Sequence, residues 1–342
     1  MRSLPSSFFI VFLISIFFVV YTIVFGDNNF EILIETRKFK EAIQYAEKNL
    51  PVASRTVDIW LKLAEAYSKT DGNEEKILFC YENAKKINPK DSRIYVGFGR
   101  RYLKSKEYRL ALENFQKGYL IERNAEAAEG IAISSAKLKN WEKARDAAES
   151  AVNLDPDIYE SRVILADIFY THDKDYTSAA DQLENLVQKN PTILKFWKRL
   201  ATCYEKLNNR EKLATIDPEI IKRDERNVES RKRHALYSLN KNDINTAYAL
   251  YKDLASLTPE DADVFKKLYM LSEEKGSNRD AITYLRIYLE LDSTNAELHK
   301  KLGNLLYIEK DFYGALESYR RALVLDKNIK GFFKNYENIV LS

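Results

Sequence analysis

Sulfur and imidazole are scarce in this chain. Its 342 residues include two Cys, three His and two Met. That leaves little material for a metal centre or a disulfide framework. Ten Gly and seven Pro are few for the length. Their scarcity argues against a turn-rich β protein and for long runs of helix. Neither sign of charge dominates, with 54 Lys and Arg against 51 Asp and Glu and a formal net charge of +3. No general nucleic-acid footprint follows from that balance. The sequence has no G-x-S-x-G, P-loop, H-E-x-x-H or C-x-x-C motif, so no enzyme, cofactor or metal is expected. What remains is 45% hydrophobic and 31% charged, enough for a large core and a charged surface.

Residues 8–25 form an apolar run broken only by Ser15 and Thr22. It is the one segment long enough to cross a bilayer as a helix. Its length favours an uncleaved signal-anchor over a cleaved signal peptide within residues 1–26, and the absence of a following Cys excludes a lipoprotein anchor. Acidic Asp27, Glu31 and Glu35 follow the run and Arg2 precedes it, which favours an exported body. Arg37, Lys38 and Lys40 argue the other way. Asn190 is followed by Pro191, so no usable glycosylation site is present. The expectation is a bacterial envelope protein in the inner membrane, with its body on the periplasmic side.

The rest of the chain repeats. Residues 125–156 hold two short helical patterns, with Ile131, Ala132 and Ser135 in the first. Trp141, Ala144, Ala148, Ala151 and Leu154 follow in the second, closed by Pro156. Such a hairpin is too short to cover its own apolar sides. The layout returns about every 34 residues. First helices open with Trp60, Tyr95, Trp197 and Phe265, while Ala128, Arg162, Arg231 and His299 hold the equivalent places. Three residues on stand Leu63, Phe98, Ile131, Leu165, Leu200, His234, Leu268 and Leu302. The next position is small at Ala64, Gly99, Ala132, Ala166, Ala201, Ala235 and Gly303, with Tyr269 the exception. Second helices repeat Ala42, Ala111, Ala144, Ala179, Ala247, Ala281 and Ala315, with Ile77 and Leu213 departing. Pro89, Pro156, Pro191 and Pro259 close four repeats. The register slips by one residue near 71–73 and again near 171–175.

This register resembles the tetratricopeptide repeat (TPR) family. The resemblance covers eight repeats over residues 57–329 and a partial helix pair at 27–56. It implies an all-α, right-handed superhelical solenoid whose first helices line a concave groove. Residues 330–342, with Phe332, Phe333, Tyr336 and Ile339, read as a capping helix. The family's groove positions fall on Arg93, Arg100, Lys104, Lys137, Tyr170, Lys195, Lys198, Lys232, Lys300, Asn304 and Tyr307. This mixed basic and apolar lining suits another protein or peptide as partner. Lys300, Asn304 and, one repeat later, Asn335 match part of the family's carboxylate clamp, although the third repeat of that clamp is missing.

Two places break the pattern. Asp217-Pro218 falls inside a second helix, where proline costs about 3 kcal/mol or more. The expected remedy is a restart with Asp217 as N-cap and Pro218 in the first turn, dividing the array into two arcs. The alternative is a local bend. The cluster Arg231-Lys232-Arg233, with Arg223 and Arg226, is diluted by Asp224, Glu225 and Glu229 and reads as a solvated face. His172 in a loop, His234 at a core position and His299 at a helix start are too far apart to share a metal. Cys80 and Cys203 stand about four repeats apart, beyond disulfide reach, and read as small buried residues. The functional expectation is a non-enzymatic scaffold tethered through residues 8–25. The alternatives are an auxiliary factor of cell-wall or lipopolysaccharide assembly and a glycan-binding enzyme subunit.

Overall fold

A computed structural model describes residues 28–70, 73–331 and 333–341. The apolar run at 8–25 and the slip at 71–72 lie outside the described residues. Among the described residues there is no strand, and no helix is long and apolar enough to cross a membrane.

The described residues divide into two compact units, one up to Lys174 and one from Asp175. In the first, helical residues 28–35 (α1) precede α2 (Phe39–Asn49), α3 (Val57–Thr70), α4 (Glu74–Ile87) and α5 (Ser92–Lys104). Then come α6 (Tyr108–Ile121), α7 (Ala125–Lys137), α8 (Trp141–Leu154) and α9 (Tyr159–Ile168). The second holds α10 (Tyr176–Lys189), α11 (Leu194–Lys206), α12 (Arg210–Arg223), α13 (Val228–Asn240) and α14 (Ile244–Leu257). It continues through α15 (Ala262–Glu274), α16 (Asn278–Leu291), α17 (Ala296–Ile308), α18 (Phe312–Leu325) and α19 (Phe333–Leu341). Within each unit, from α2 onward, each helix packs on the next in the chain. In the first unit α3, α5, α7 and α9 also touch in series, so the first helices share one side. Tyr336 and Ile339 of α19 pack against the core of the second unit.

The core works by interlock. Large side chains of second helices enter places where first helices carry no side chain. Phe115 of α6 lies between Gly99 of α5 and Gly130 of α7. A Cβ on Gly99 would stand 2.8 Å from the Phe115 ring, and one on Gly130 would run into it. Tyr81 meets Gly97 and Tyr319 meets Gly303 in the same way. Burying an aromatic of this size stabilises by roughly 1.5–3 kcal/mol. The small second-helix residues Ala42, Ala111, Ala144, Ala179, Ala247, Ala281 and Ala315 are all fully buried.

The helix ends have a common chemistry. Asn73, Asp91, Asn124, Asn140, Asp175, Asn209, Asn227, Asp243, Asp261, Asn295 and Asp311 each accept a backbone N–H from the helix they precede. Each cap contributes about 1 kcal/mol. The turns between first and second helices pass through left-handed backbone at Arg37, Lys106, Lys139, Asn208, Asn242, Gly276 and Lys310. Only one of these is glycine.

The interruption of the array lies elsewhere than expected. Helix α12 runs unbroken through Pro218. Asp217 caps nothing; its carboxylate is 1% exposed and accepts two N–H bonds from Arg233, at 2.6 and 3.3 Å. Pro218 removes one backbone donor, and packing against α11 and α13 holds the helix together all the same. The chain divides at Lys174 instead, just after a π-helical turn at Phe169–Asp173. One extra residue in a helix fixed at both ends opens such a wider turn. It is pinned to α8, where His172 stacks on Trp141 at 4.1 Å and Asp173 pairs with Arg145 at 2.7 Å. His172 is therefore part of an ordered turn rather than a free loop. The basic cluster also departs from its reading as a solvated face, because Arg231 is buried and Arg233 serves Asp217.

Gly130→Ala tests the interlock. Alanine in an exposed helix interior stabilises by up to about 1 kcal/mol relative to glycine. Here it is expected to destabilise by roughly 1–3 kcal/mol through overpacking against Phe115. Urea unfolding measures this, and unchanged or raised stability would refute the packing account.

Candidate partner-binding groove

Helix α5 places Arg93, Val96, Gly97, Arg100 and Lys104 on one face by helical spacing. Its opposite face buries Ile94 and Phe98. Between α3, α5 and the start of α7 runs a cavity of about 460 Å³. Its walls are Asp58, Leu61, Lys62 and Glu65 on α3, Arg93, Val96 and Arg100 on α5, and Asn124 and Glu126 at α7. A second section of about 420 Å³ reaches Lys69, Glu74, Ile77, Arg101 and Lys104. Both sections share Glu65, Tyr81, Gly97 and Arg100, so they form one groove in the first unit. Gly97, with no Cβ, lets the Tyr81 ring form the floor.

Most of its charges are already paired. Arg93 bonds Asp58 and Asp91, each at 2.6 Å. Arg100 pairs with Glu126, and Lys62 with Glu31. Arg101 reaches Glu74 at 2.9 Å. Apart from Arg93–Asp91, which lies within one repeat, these contacts tie one repeat to the next.

A second tie recurs at one register, the residue after the first-helix opening position. Lys198 reaches Asp224 at 2.8 Å, Lys232 reaches Asp261 at 2.6 Å, and Lys300 donates to the Lys330 carbonyl at 2.9 Å. Glu129 holds the same place in α7. It accepts the backbone N–H groups of Glu160 and Ser161 at the start of α9, where Ile158 supplies no side-chain cap. Burial raises the Glu129 carboxyl above its ordinary value in spite of those bonds.

The residues expected to contact a partner therefore have different surroundings. Arg93, Arg100, Lys198, Lys232 and Lys300 hold repeats together. Lys104, Lys137 and Lys195 are exposed and make no ion pair among the described residues. Tyr170 lies in the π turn that continues from the end of α9 at Ile168. The two clamp-like asparagines do come together, but around a tyrosine, while Lys300 bonds elsewhere. The Tyr319 hydroxyl donates to Asn304 at 2.8 Å and bonds the Asn335 side chain. Tyr307 packs edge-on against Phe312 at 5.7 Å.

Among the described residues no three His, Cys, Asp or Glu side chains are arranged to hold a metal ion. Burial pushes the Cys80 thiol up to about 12 and Cys203 to about 11, so neither is a thiolate at neutral pH. Burial also lowers His234 and His299 below the ordinary imidazole value.

The tetratricopeptide repeat profile matches residues 130–192 and 273–328. These two stretches fall on the helical hairpins described above and carry tetratricopeptide repeats. The chain is similar to a Drosophila melanogaster protein described as a BBSome complex member, BBS4 homolog, with 24% identity over 262 residues and 72% of this chain. The chain spans about half of that relative, 53%. Among solved structures it is similar to a tetratricopeptide repeat protein from Parabacteroides merdae, at 14% identity and TM-score 0.36, covering 73% of this chain and 98% of that one. It is also similar to the TPR2AB domain of yeast Sti1 in a complex with pHSP90, at 16% identity and TM-score 0.38, covering 73% and 96%. Likeness at that level says nothing about partners.

Sequence reading missed the inter-repeat ties and the caps. The available signal was an acid 26 or 29 residues after a groove lysine, as in Lys198 with Asp224 and Lys232 with Asp261.

The ties make stability depend on acid. Lys232 holds Asp261 below the ordinary carboxylate range, as Lys198 does Asp224 and Arg93 does Asp91. A depressed folded value means the contribution is present above the unfolded aspartate value of about 3.9 and lost as pH falls through the folded one. Asp261→Asn is expected to destabilise at pH 7, with the gap to the parent narrowing towards pH 3. Urea unfolding at both values checks this; a gap independent of pH would contradict it.

Proposed function

We propose that this chain is a non-enzymatic scaffold that holds a segment of another protein along the groove of the first unit. The observation that carries this reading is the continuous groove across α3, α5 and α7, with paired charges on its walls and Leu61, Val96 and Tyr81 along it. A protein segment offers backbone, charged and apolar groups together, which such a lining recognises. The description of the Drosophila relative as a complex member supports an assembly role. The proposal includes a tether at the cell envelope through residues 8–25.

Photo-crosslinking tests the groove. A crosslinking residue in place of Leu61 or Arg100 is expected to capture a partner, and one in place of Lys117 on α6 is not. Capture at position 117 alone would reverse the assignment. For the tether, the 342-residue chain is expected in the membrane fraction and residues 28–342 in the soluble one. Equal partitioning of the two would remove the tether from the proposal.

A further inference from the structure

Helix α18 buries Ala315, Ser318, Tyr319 and Ala322 on its inner face. On the opposite side, at spacings of four, three and four, stand Tyr313, Glu317, Arg320 and Val324. Tyr313 is 78% exposed and Val324 71%, and Glu317 and Arg320 are exposed as well. The places of Tyr313 and Val324 are polar on the two preceding second helices, Arg279 and Glu290 on α16 and Asn245 and Ser256 on α14. A Glu with an Arg three residues on commonly pairs along its own helix. Glu317 and Arg320 make no ion pair among the described residues. With Val324 they line a cleft of about 450 Å³ between α16 and α18.

We propose that this face of α18 binds the same face of a second copy of the chain, the two helices antiparallel about a two-fold axis. The contact belongs to the second unit and is independent of the groove. From the N-terminal end the face runs apolar, acidic, basic, apolar. A two-fold axis between positions 318 and 319 reverses that order in the second copy. Along the helix, Tyr313 and Val324 lie about 8 Å from the axis on either side, and Glu317 and Arg320 about 2 Å. Tyr313 therefore meets the second copy's Val324, and Glu317 meets the second copy's Arg320, each contact formed twice. A parallel pairing would set Glu317 against Glu317 and Arg320 against Arg320, like charge on like charge. The cleft beside Val324 leaves room for the phenol of the second copy's Tyr313. One charge of each sign suits a self-complementary face better than a polyanion, which Glu317 would repel. Helix α18 is about 21 Å long, so the contact is small beside a standard interface and the dimer is a weak one.

Sedimentation equilibrium on the 342-residue protein in detergent tests this. The parent is expected to show a reversible monomer–dimer equilibrium at high micromolar concentration. Tyr313→Ala should weaken it roughly tenfold. Glu317→Arg and Arg320→Glu should each abolish it, because each sets like charges together near the axis. Mixing those two variants should restore a dimer, since both central contacts are then again of opposite sign. Thr283→Ala, at the place of Glu317 on α16, should change nothing. The side chains replaced are exposed, so each variant is expected to keep the parent's helical circular dichroism. A parent that stays monomeric, self-association untouched by Glu317→Arg, or no dimer from the mixture of folded variants overturns the proposal. A crosslinking residue at position 313 that captures a different protein instead of a second copy also overturns it and assigns the face to that protein.

Discussion

The fold depends on steric vacancy at a few first-helix positions. Phe115 needs hydrogen in place of a side chain at both Gly99 and Gly130, and those glycines belong to different repeats. One aromatic thus fixes its own hairpin and the approach of the next. Tyr81 over Gly97 and Tyr319 over Gly303 repeat the arrangement. Because close-packed interiors yield little to an added methyl group, the phase of the repeats is set by where side chains are missing. The same device shapes the groove, since Gly97 is what brings Tyr81 to its floor.

Charge has a different task from the one its placement suggests. Lys198, Lys232 and Lys300 stand where a ligand-binding lysine would stand, yet each reaches the start of the next repeat. Glu129 does the same with opposite sign. Exposed pairs of this kind contribute little singly, about 0–1 kcal/mol. Repeated at one register, they align neighbouring hairpins that share only one helix–helix face.

The helix pattern was legible in the sequence because period and residue size express the interlock directly. Ala42, Ala111 and Ala144 are small for a reason visible at the level of the repeat. The one-residue slip near 171–175 was legible as well, and it became the π turn at Phe169–Asp173. Tyr170 lies within that turn. Pro218 was read as a break because propensity was weighed without the packing of α11 and α13 on α12. Asp217, Arg231 and Arg233 look like surface charges in isolation; their pairing and burial arise only from contacts between helices. Ties of the Lys232–Asp261 type join residues 29 apart, a separation that local periodicity does not report.

Hydrogen exchange with mass spectrometry on Phe115→Ala reads the central claim most directly. If a single side chain locks two neighbouring repeats, α5, α6 and α7 lose amide protection together. Loss confined to α6, with α5 and α7 exchanging as before, would contradict it.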